Sequence, residues 1–143
     1  MLIREAKPGD SARIAELLDQ LGYPGTSKFI RKKIIQSSEN SDATLLVAVN
    51  GRRVCGLIAL HFINQIALPG DFCRISYLCV DRPDIGTGIG RALIARAEGL
   101  ARARRCDRME VHCHARRKKA HRFYFTQGYQ DSPKYLLKML HYS

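Results

Sequence analysis

No stretch of this chain reaches the ~18 uncharged apolar residues that a helix needs to cross a bilayer. The opening Met1-Leu2-Ile3-Arg4 lacks the pattern of a secretory signal and runs directly into a strand. Both absences lead to the expectation of a cytoplasmic chain. The five cysteines, at 55, 73, 79, 106 and 113, are odd in number and form no C-x-x-C pair, so free thiols in a reducing compartment are the simplest account. Internal repeats, linkers and low-complexity tracts are missing as well, which leaves one domain over residues 1–143. That length is enough to bury a real core, and 45% hydrophobic with 26% charged residues is ordinary for a soluble globular protein. Acids are the scarce charge: 13 Asp and Glu stand against 24 Lys and Arg, for a formal net charge of +11.

Among what is present, the run Asp84-Ile85-Gly86-Thr87-Gly88-Ile89-Gly90-Arg91-Ala92-Leu93 is the most informative. It follows the apolar segment Ile75 to Val80 and reads as strand, glycine turn and first helical turn. Glycines at 86, 88 and 90 let the backbone approach a ligand, and amides at a helix start have no partner inside the helix. With about half a positive charge from the helix dipole, such a turn is a seat for phosphate. Lys followed by Ser or Thr, which a nucleoside-triphosphate loop requires, is absent; Arg91-Ala92 stands there instead. A dinucleotide fingerprint would be spaced G-x-G-x-x-G in the first strand-helix unit, whereas this spacing is G-x-G-x-G past mid-chain, despite Glu110 lying 20 residues beyond Gly90. A purely structural glycine turn is the plain alternative.

Around this turn the pattern predicts strands over Leu2 to Glu5, Leu45 to Val49, Val54 to Asn64, Cys73 to Val80, Arg108 to His112 and Tyr135 to His141. Helices are predicted over Ser11 to Leu21, Lys28 to Gln36, Ile89 to Arg105 and Lys118 to Gln127. Asp10 is read as the cap of the first helix, whose apolar stripe is Ile14, Leu17, Leu18 and Leu21. Asn50-Gly51 marks a hairpin, and Gly128 stops the last helix.

Leu78-Cys79-Val80, the glycine turn, a helix, a strand near Met109 to Cys113, and Ala120-His121-Arg122-Phe123-Tyr124 with Gly128-Tyr129 together resemble the GNAT superfamily of acyl-CoA-dependent N-acetyltransferases. The resemblance covers essentially the whole chain, including Ile3-Arg4-Glu5-Ala6 with Asp10, Asn50-Gly51 and the closing Leu136-Leu137-Lys138-Met139-Leu140. It implies an α/β (by some schemes α+β) fold: a mixed, mostly antiparallel central sheet flanked by helices, with a splayed strand pair at the cofactor site. It also implies acetyl-CoA as co-substrate. In the family the turn binds its pyrophosphate and the preceding strand pairs with its pantetheine arm. By that likeness the cofactor-binding residues are Leu78, Cys79, Val80, Ile85, Gly86, Thr87, Gly88, Ile89, Gly90, Arg91, Arg117, Ala120 and Phe123. Ile85 stands where the family usually has Arg or Gln, so one phosphate contact is lost and Arg91 or another cation is expected to compensate. Arg117 replaces an Asn that many members carry.

Acyl transfer to an amine needs an amine that has lost a proton, since its pKa is near 10.4, and benefits from a proton donor to a thiolate of pKa ~8.5. By the resemblance Tyr124 is that donor, the catalytic residue; on its own it also reads as a packing aromatic at helical spacing from Ala120. The base is open. Many relatives use a Glu on the strand before the turn, but Cys73-Arg74-Ile75-Ser76-Tyr77-Leu78-Cys79-Val80 has no acid. Glu110, His112, His114 and His61 are the remaining candidates, as is a water chain. His112 and His114 show no third ligand at metal spacing.

Residues 91–122 hold eleven Arg and Lys against Glu98, Asp107 and Glu110, a surplus of eight positive charges. Steering of an anionic cofactor is sufficient cause. Nucleic acid is an unlikely partner, because no aromatic platform or binding module accompanies the charge. The segment Gly22 to Ser27 and the stretch Phe62 to Asp71 are where the family builds its acceptor pocket. The middle strands and the Arg117 to Tyr124 segment look like the subset containing aminoalkylphosphonate N-acetyltransferases, although Arg74 and Tyr77 replace acids expected there. The expected activity is acetyl transfer to a primary amine of a small molecule or peptide, by direct attack in a ternary complex. The alternative is a catalytically weak acyl-CoA-binding regulator or sensor. A homodimer is compatible with either.

Overall fold

The computed structural model describes residues 1–112, 118–132 and 136–142. The chain divides into two compact units, Met1–Val111 and His112–Ser143.

In the first unit five strands, β1 (Leu2–Glu5), β2 (Ala43–Asn50), β3 (Arg53–Ile63), β4 (Phe72–Val80) and β5 (Arg108–Val111), form one sheet in sequence order. The first three pairings are antiparallel and β4–β5 is parallel. A parallel pair needs a crossover, and here it is α3 (Ile89–Ala103). Helices α1 (Ser11–Leu21) and α2 (Ile30–Glu39) precede β2. The mixed, mostly antiparallel, helix-flanked sheet is therefore the expected architecture.

Side chains alternate along each strand, and β3 shows how that divides the core. Leu57 packs with Ile14, Leu17, Ile30 and Ile34 of α1 and α2. Its neighbour Gly56 points to the other face, where a Cβ would stand 3.0 Å from Ile89 and 3.2 Å from Leu93 of α3. The stripe Ile89, Leu93, Ile94, Ala97 and Ala101 buries α3 on that face. Burial of the stripe, at ~25 cal/mol per Å² of apolar surface, outweighs the modest helix propensity of its two glycines.

Turn chemistry follows the sequence closely at Asn50-Gly51. Asn50 pairs with Arg53, and Gly51 has φ 65° at the first central position, the type II′ pattern that matches strand twist. Two expectations need correction. Asp10 does not cap α1: its carboxylate accepts the Lys7 amide at 2.8 Å and a two-pronged Arg4 at 2.8 and 3.0 Å, tying the end of β1 to the turn Pro8–Asp10. An ionised carboxylate gains more from a guanidinium than from an amide alone. Arg4, donating that pair, holds Asp10 below the usual carboxylate range against the opposing effect of burial. The second helix also starts later, at Ile30, because Thr26–Lys28 forms a separate 3₁₀ turn after Gly25 at φ 79°.

In the second unit α4 spans Lys118–Thr126 and ends at Gly128, whose φ of 91° and the Tyr129 N–H to Tyr124 C=O bond of 3.0 Å form the stop. The closing strand is not formed over its described part: Leu136 to Tyr142 has no regular structure. Its residues suit a strand, but a strand exists only through a ladder partner, and none reaches this segment among the described residues. Tyr135 and Arg117 lie outside the described residues.

Candidate active site

The end of β4 and the start of α3 are joined by a turn that spends few of its own hydrogen bonds. A 3₁₀ turn, Arg82–Asp84, leads to Ile85 in extended conformation, Gly86 at φ 85°, Thr87, and Gly88 at φ 93° as the residue before α3. The Thr87 amide donates to Asp84 C=O at 3.2 Å, and the first helical bond runs from the Ala92 amide to Gly88 C=O at 3.0 Å. The amides of Gly86, Gly88, Ile89, Gly90 and Arg91 have no acceptor among the described residues. A side chain at Gly86 or Gly88 would meet nothing within 4 Å, so what demands glycine is the left-handed backbone and not crowding. Ile89 is buried with its side chain in the core, which fixes the helix start while its amide faces outward. Thr87 Oγ donates to Asp84 C=O, turning its hydroxyl back into the turn. Ile85 is 65% exposed and Arg91 is exposed, with no carboxylate partner among the described residues.

Beneath the turn lies a brace that the sequence reading missed. Asp81, 6% exposed, accepts from Gln20 of α1 at 2.8 Å, Arg13 of α1 at 2.7 Å and Arg53 of β3 at 2.5 Å. Arg13 also donates to Val54 C=O, the Asp81 amide to Cys55 C=O, and the Arg82 amide to Gln20 at 3.0 Å. Arg53 reaches on to Asp84 at 2.6 Å. The Gln20 hydrogen bond and the Arg13 guanidinium hold the Asp81 carboxylate below its ordinary range, against the opposing effect of burial. No local pattern announces this network, since its members are 28 to 68 residues apart.

β4 outruns its parallel partner. β5 pairs only with Phe72 to Ile75, so from Ser76 to Val80 the β5 side of β4 has no ladder within the first unit. This is the splayed pair: Leu78, Cys79 and Val80 lie past the point where β5 stops pairing with β4. Leu78 and Val80, opposite Ile58 and Gly56, lie on the α3 face; Cys79 lies on the other, its thiol donating to Leu17 C=O at 3.1 Å. At the level where the splay begins, β4 carries a bulge: Ala59 pairs with Tyr77 and Leu60 with Ile75, leaving Ser76 as the extra residue.

In the second unit, Tyr124 of α4 is buried between the rings of Phe123, 5.4 Å away, and Tyr129, 5.6 Å away, both edge-on. Ala120 and Phe123 are half-buried on the same helix. Of the candidate bases, Glu110 is shared between Arg74 at 3.6 Å and Arg108 at 3.9 Å, and His61 Nδ1 lies 2.8 Å from Ser76 Oγ. His114 lies outside the described residues. The basic residues of 91–122 are not uniformly free either: Arg104 stacks on Phe62 at 4.0 Å and pairs with Asp42, and Arg108 pairs with Asp107. Burial pushes the Cys73 thiol up to about 12, so it stays protonated and inert at neutral pH.

No helix among the described residues is long and apolar enough to cross a membrane. A five-stranded, mostly antiparallel sheet with one parallel pair, flanked by helices, is the fold class the chain presents. The chain belongs to the acetyltransferase (GNAT) family, whose model matches residues 13–129. It is 34% identical over 86 residues to an aminoalkylphosphonate N-acetyltransferase of Salmonella typhimurium, an alignment covering 60% of this chain and 56% of that protein. Its fold is similar to that of a transcriptional regulator from Bacillus halodurans, with TM-score 0.86, 23% identity and coverage of 97% and 99% of the two chains. An aminoglycoside 6′-N-acetyltransferase from Acinetobacter haemolyticus matches with TM-score 0.84 at 16% identity over the full length of both.

Proposed function

We propose that the protein transfers an acetyl group from acetyl-CoA to a primary amine of a small molecule or peptide. The observation that carries this reading is the amide cluster of Gly86 to Arg91, set at the end of a strand that outruns its parallel partner, in a chain of the acetyltransferase family. The family match runs through both units, which supports treating residues 1–143 as a single domain.

The pyrophosphate of acetyl-CoA is assigned to the amides of Gly86, Gly88, Ile89, Gly90 and Arg91, with Thr87 in the same turn. The helix dipole adds to five donors, so loss of a cationic side chain at Ile85 is tolerable. Arg91 offers the nearest compensating charge. The pantetheine arm is assigned to β4 at Leu78, Cys79 and Val80, past the point where β5 stops pairing. Arg117, Ala120 and Phe123 are assigned to the cofactor on the strength of the family likeness. Tyr124 is assigned as the acid that protonates the departing thiolate.

Direct attack fits this arrangement. Once deprotonated, the amine nitrogen adds to the thioester carbon, the C–S electron pair leaves on sulfur, and the thiolate takes a proton from Tyr124. Holding both reactants on one rigid sheet edge supplies the main advantage, by fixing orientation. The acceptor class includes amines that carry an anionic group, as the name of the Salmonella relative suggests for that protein. The test is thiol release from acetyl-CoA across a panel of alkylamines, aminoalkylphosphonates and aminoglycosides. Turnover with any of them supports the enzyme; tight acetyl-CoA binding with no turnover on any would favour a regulatory acyl-CoA-binding module.

A further inference from the structure

The strand that precedes the glycine turn has no acid, so the ammonium of the acceptor must lose its proton to some other group. We infer that His61 is this general base and that Ser76, the bulged residue of β4, is its positioning residue. The inference rests on the acetyltransferase reading above.

Three observations meet at this pair. First, position along the sheet: an arm laid on β4 from Val80 back toward Ser76 covers about 13 Å of strand. Pairing with β5 stops at Ile75, so an arm assigned to this part of β4 leads to the bulge at Ser76. Second, position across the sheet: His61 pairs with Arg74 in the ladder and bonds to Ser76, which places it one strand inward at that level. Alternation along β3 puts it on the same face as Leu57 and Ala59. Tyr77, the partner of Ala59, is also there, its ring meeting that of Tyr23 edge-on at 5.3 Å from the loop after α1. That loop begins the Gly22 to Ser27 segment; His61, Tyr77 and Tyr23 are exposed and Ser76 is half-buried. Third, chemistry: when Nδ1–H donates to Ser76 Oγ at 2.8 Å, Nε2 carries the lone pair. Imidazole basicity suits a proton acceptor at neutral pH. The competing acid on this face, Glu110, is held between Arg74 and Arg108.

The protons balance as follows. One N–H proton of R–NH₃⁺ passes to Nε2 of His61 and from there to solvent. The neutral amine forms the C–N bond, the C–S bond breaks onto sulfur, and Tyr124 protonates the thiolate. The second nitrogen proton, acidified by acylation, returns to Tyr124. The net products are amide, free thiol and one proton.

The experiment compares the parent, His61→Gln, His61→Asn and Ser76→Ala on two acceptors. One is whichever panel amine turns over best. The other is its analogue with two fluorines on the carbon next to the amine-bearing one, about half of whose nitrogen is already deprotonated at neutral pH. Both His61 variants should lose about 10²-fold in kcat/KM on the first amine, the low end of general base catalysis. On the fluorinated amine the loss should shrink below about 10-fold. Ser76→Ala should show a smaller loss with the same dependence on the amine, and acetyl-CoA affinity and melting temperature should stay at parent values. Equal losses on both amines, or none, would overturn the assignment while leaving the acetyltransferase intact. A parent that turns over no amine would overturn the enzymatic reading and the base with it.

Discussion

The glycine turn from Ile85 to Arg91 and the brace at Asp81, a few residues upstream, are built from opposite materials. The turn offers backbone donors with no partners and almost no side chains. The brace is a buried carboxylate with three side-chain partners from two distant elements. A binding surface must keep its donors unspent until the ligand arrives, whereas the part that holds the surface still must have every polar group spent. The difference explains why the first was legible along the sequence and the second was not.

The sharpest way to break this division is to remove the carboxylate. Asp81→Ala leaves Arg13 and Arg53 facing each other, a loss that costs 3–5 kcal/mol at fully buried sites; both arginines reach solvent here, so about 2–3 kcal/mol is expected. Thermal unfolding should show a drop of several degrees together with weakened acetyl-CoA binding, because the floor of the turn moves. Gly88→Val attacks the turn alone. A β-branched residue at φ 93° costs about 1–3 kcal/mol, so affinity measured by calorimetry should fall by roughly 10- to 100-fold if the strain is met on binding. Gly99→Val, on the exposed face of α3 with an open Cβ position, should leave affinity unchanged.

Smaller effects sharpen the comparison. Tyr124→Phe should lower turnover about 10- to 100-fold with cofactor affinity nearly intact; early melting with unchanged turnover would mark Tyr124 as packing. Ile85→Arg, at an exposed position beside the amides, should tighten acetyl-CoA binding by less than about 10-fold, the gain fading with salt. Acid should act on the brace before the turn. Asp81 and Asp10 have folded pKa values below their unfolded values, so their stabilisation is complete above about pH 4, the ordinary carboxylate value, and is lost as pH falls through the folded values. Equilibrium unfolding across that range should show Asp81→Asn losing part of this dependence.

Local chemistry accounts for what could be read in advance. Alternation and turn residues placed β1, α1 and the Gly51 hairpin at their observed positions, because each rests on neighbours a few residues apart. The same reasoning misassigned Asp10, where Arg4 outcompeted the helix amides, and the closing segment, where strand-forming residues lack a described partner. Gly56 is a further long-range requirement: only contact with Ile89 and Leu93 shows why β3 needs a glycine there. The site divides in the same way. The amide cluster follows from glycine spacing, while the pairing of His61 with Ser76 depends on a bulge that only the register between β3 and β4 reveals.

The central claim, that the amides of the glycine turn seat the cofactor's pyrophosphate, is tested most directly by following backbone amide resonances while acetyl-CoA is added. The account predicts that the largest shifts fall on Gly86, Gly88, Ile89, Gly90 and Arg91, saturate with the calorimetric affinity, and weaken in parallel with it in Gly88→Val. Saturable binding that leaves these five amides unmoved would contradict it.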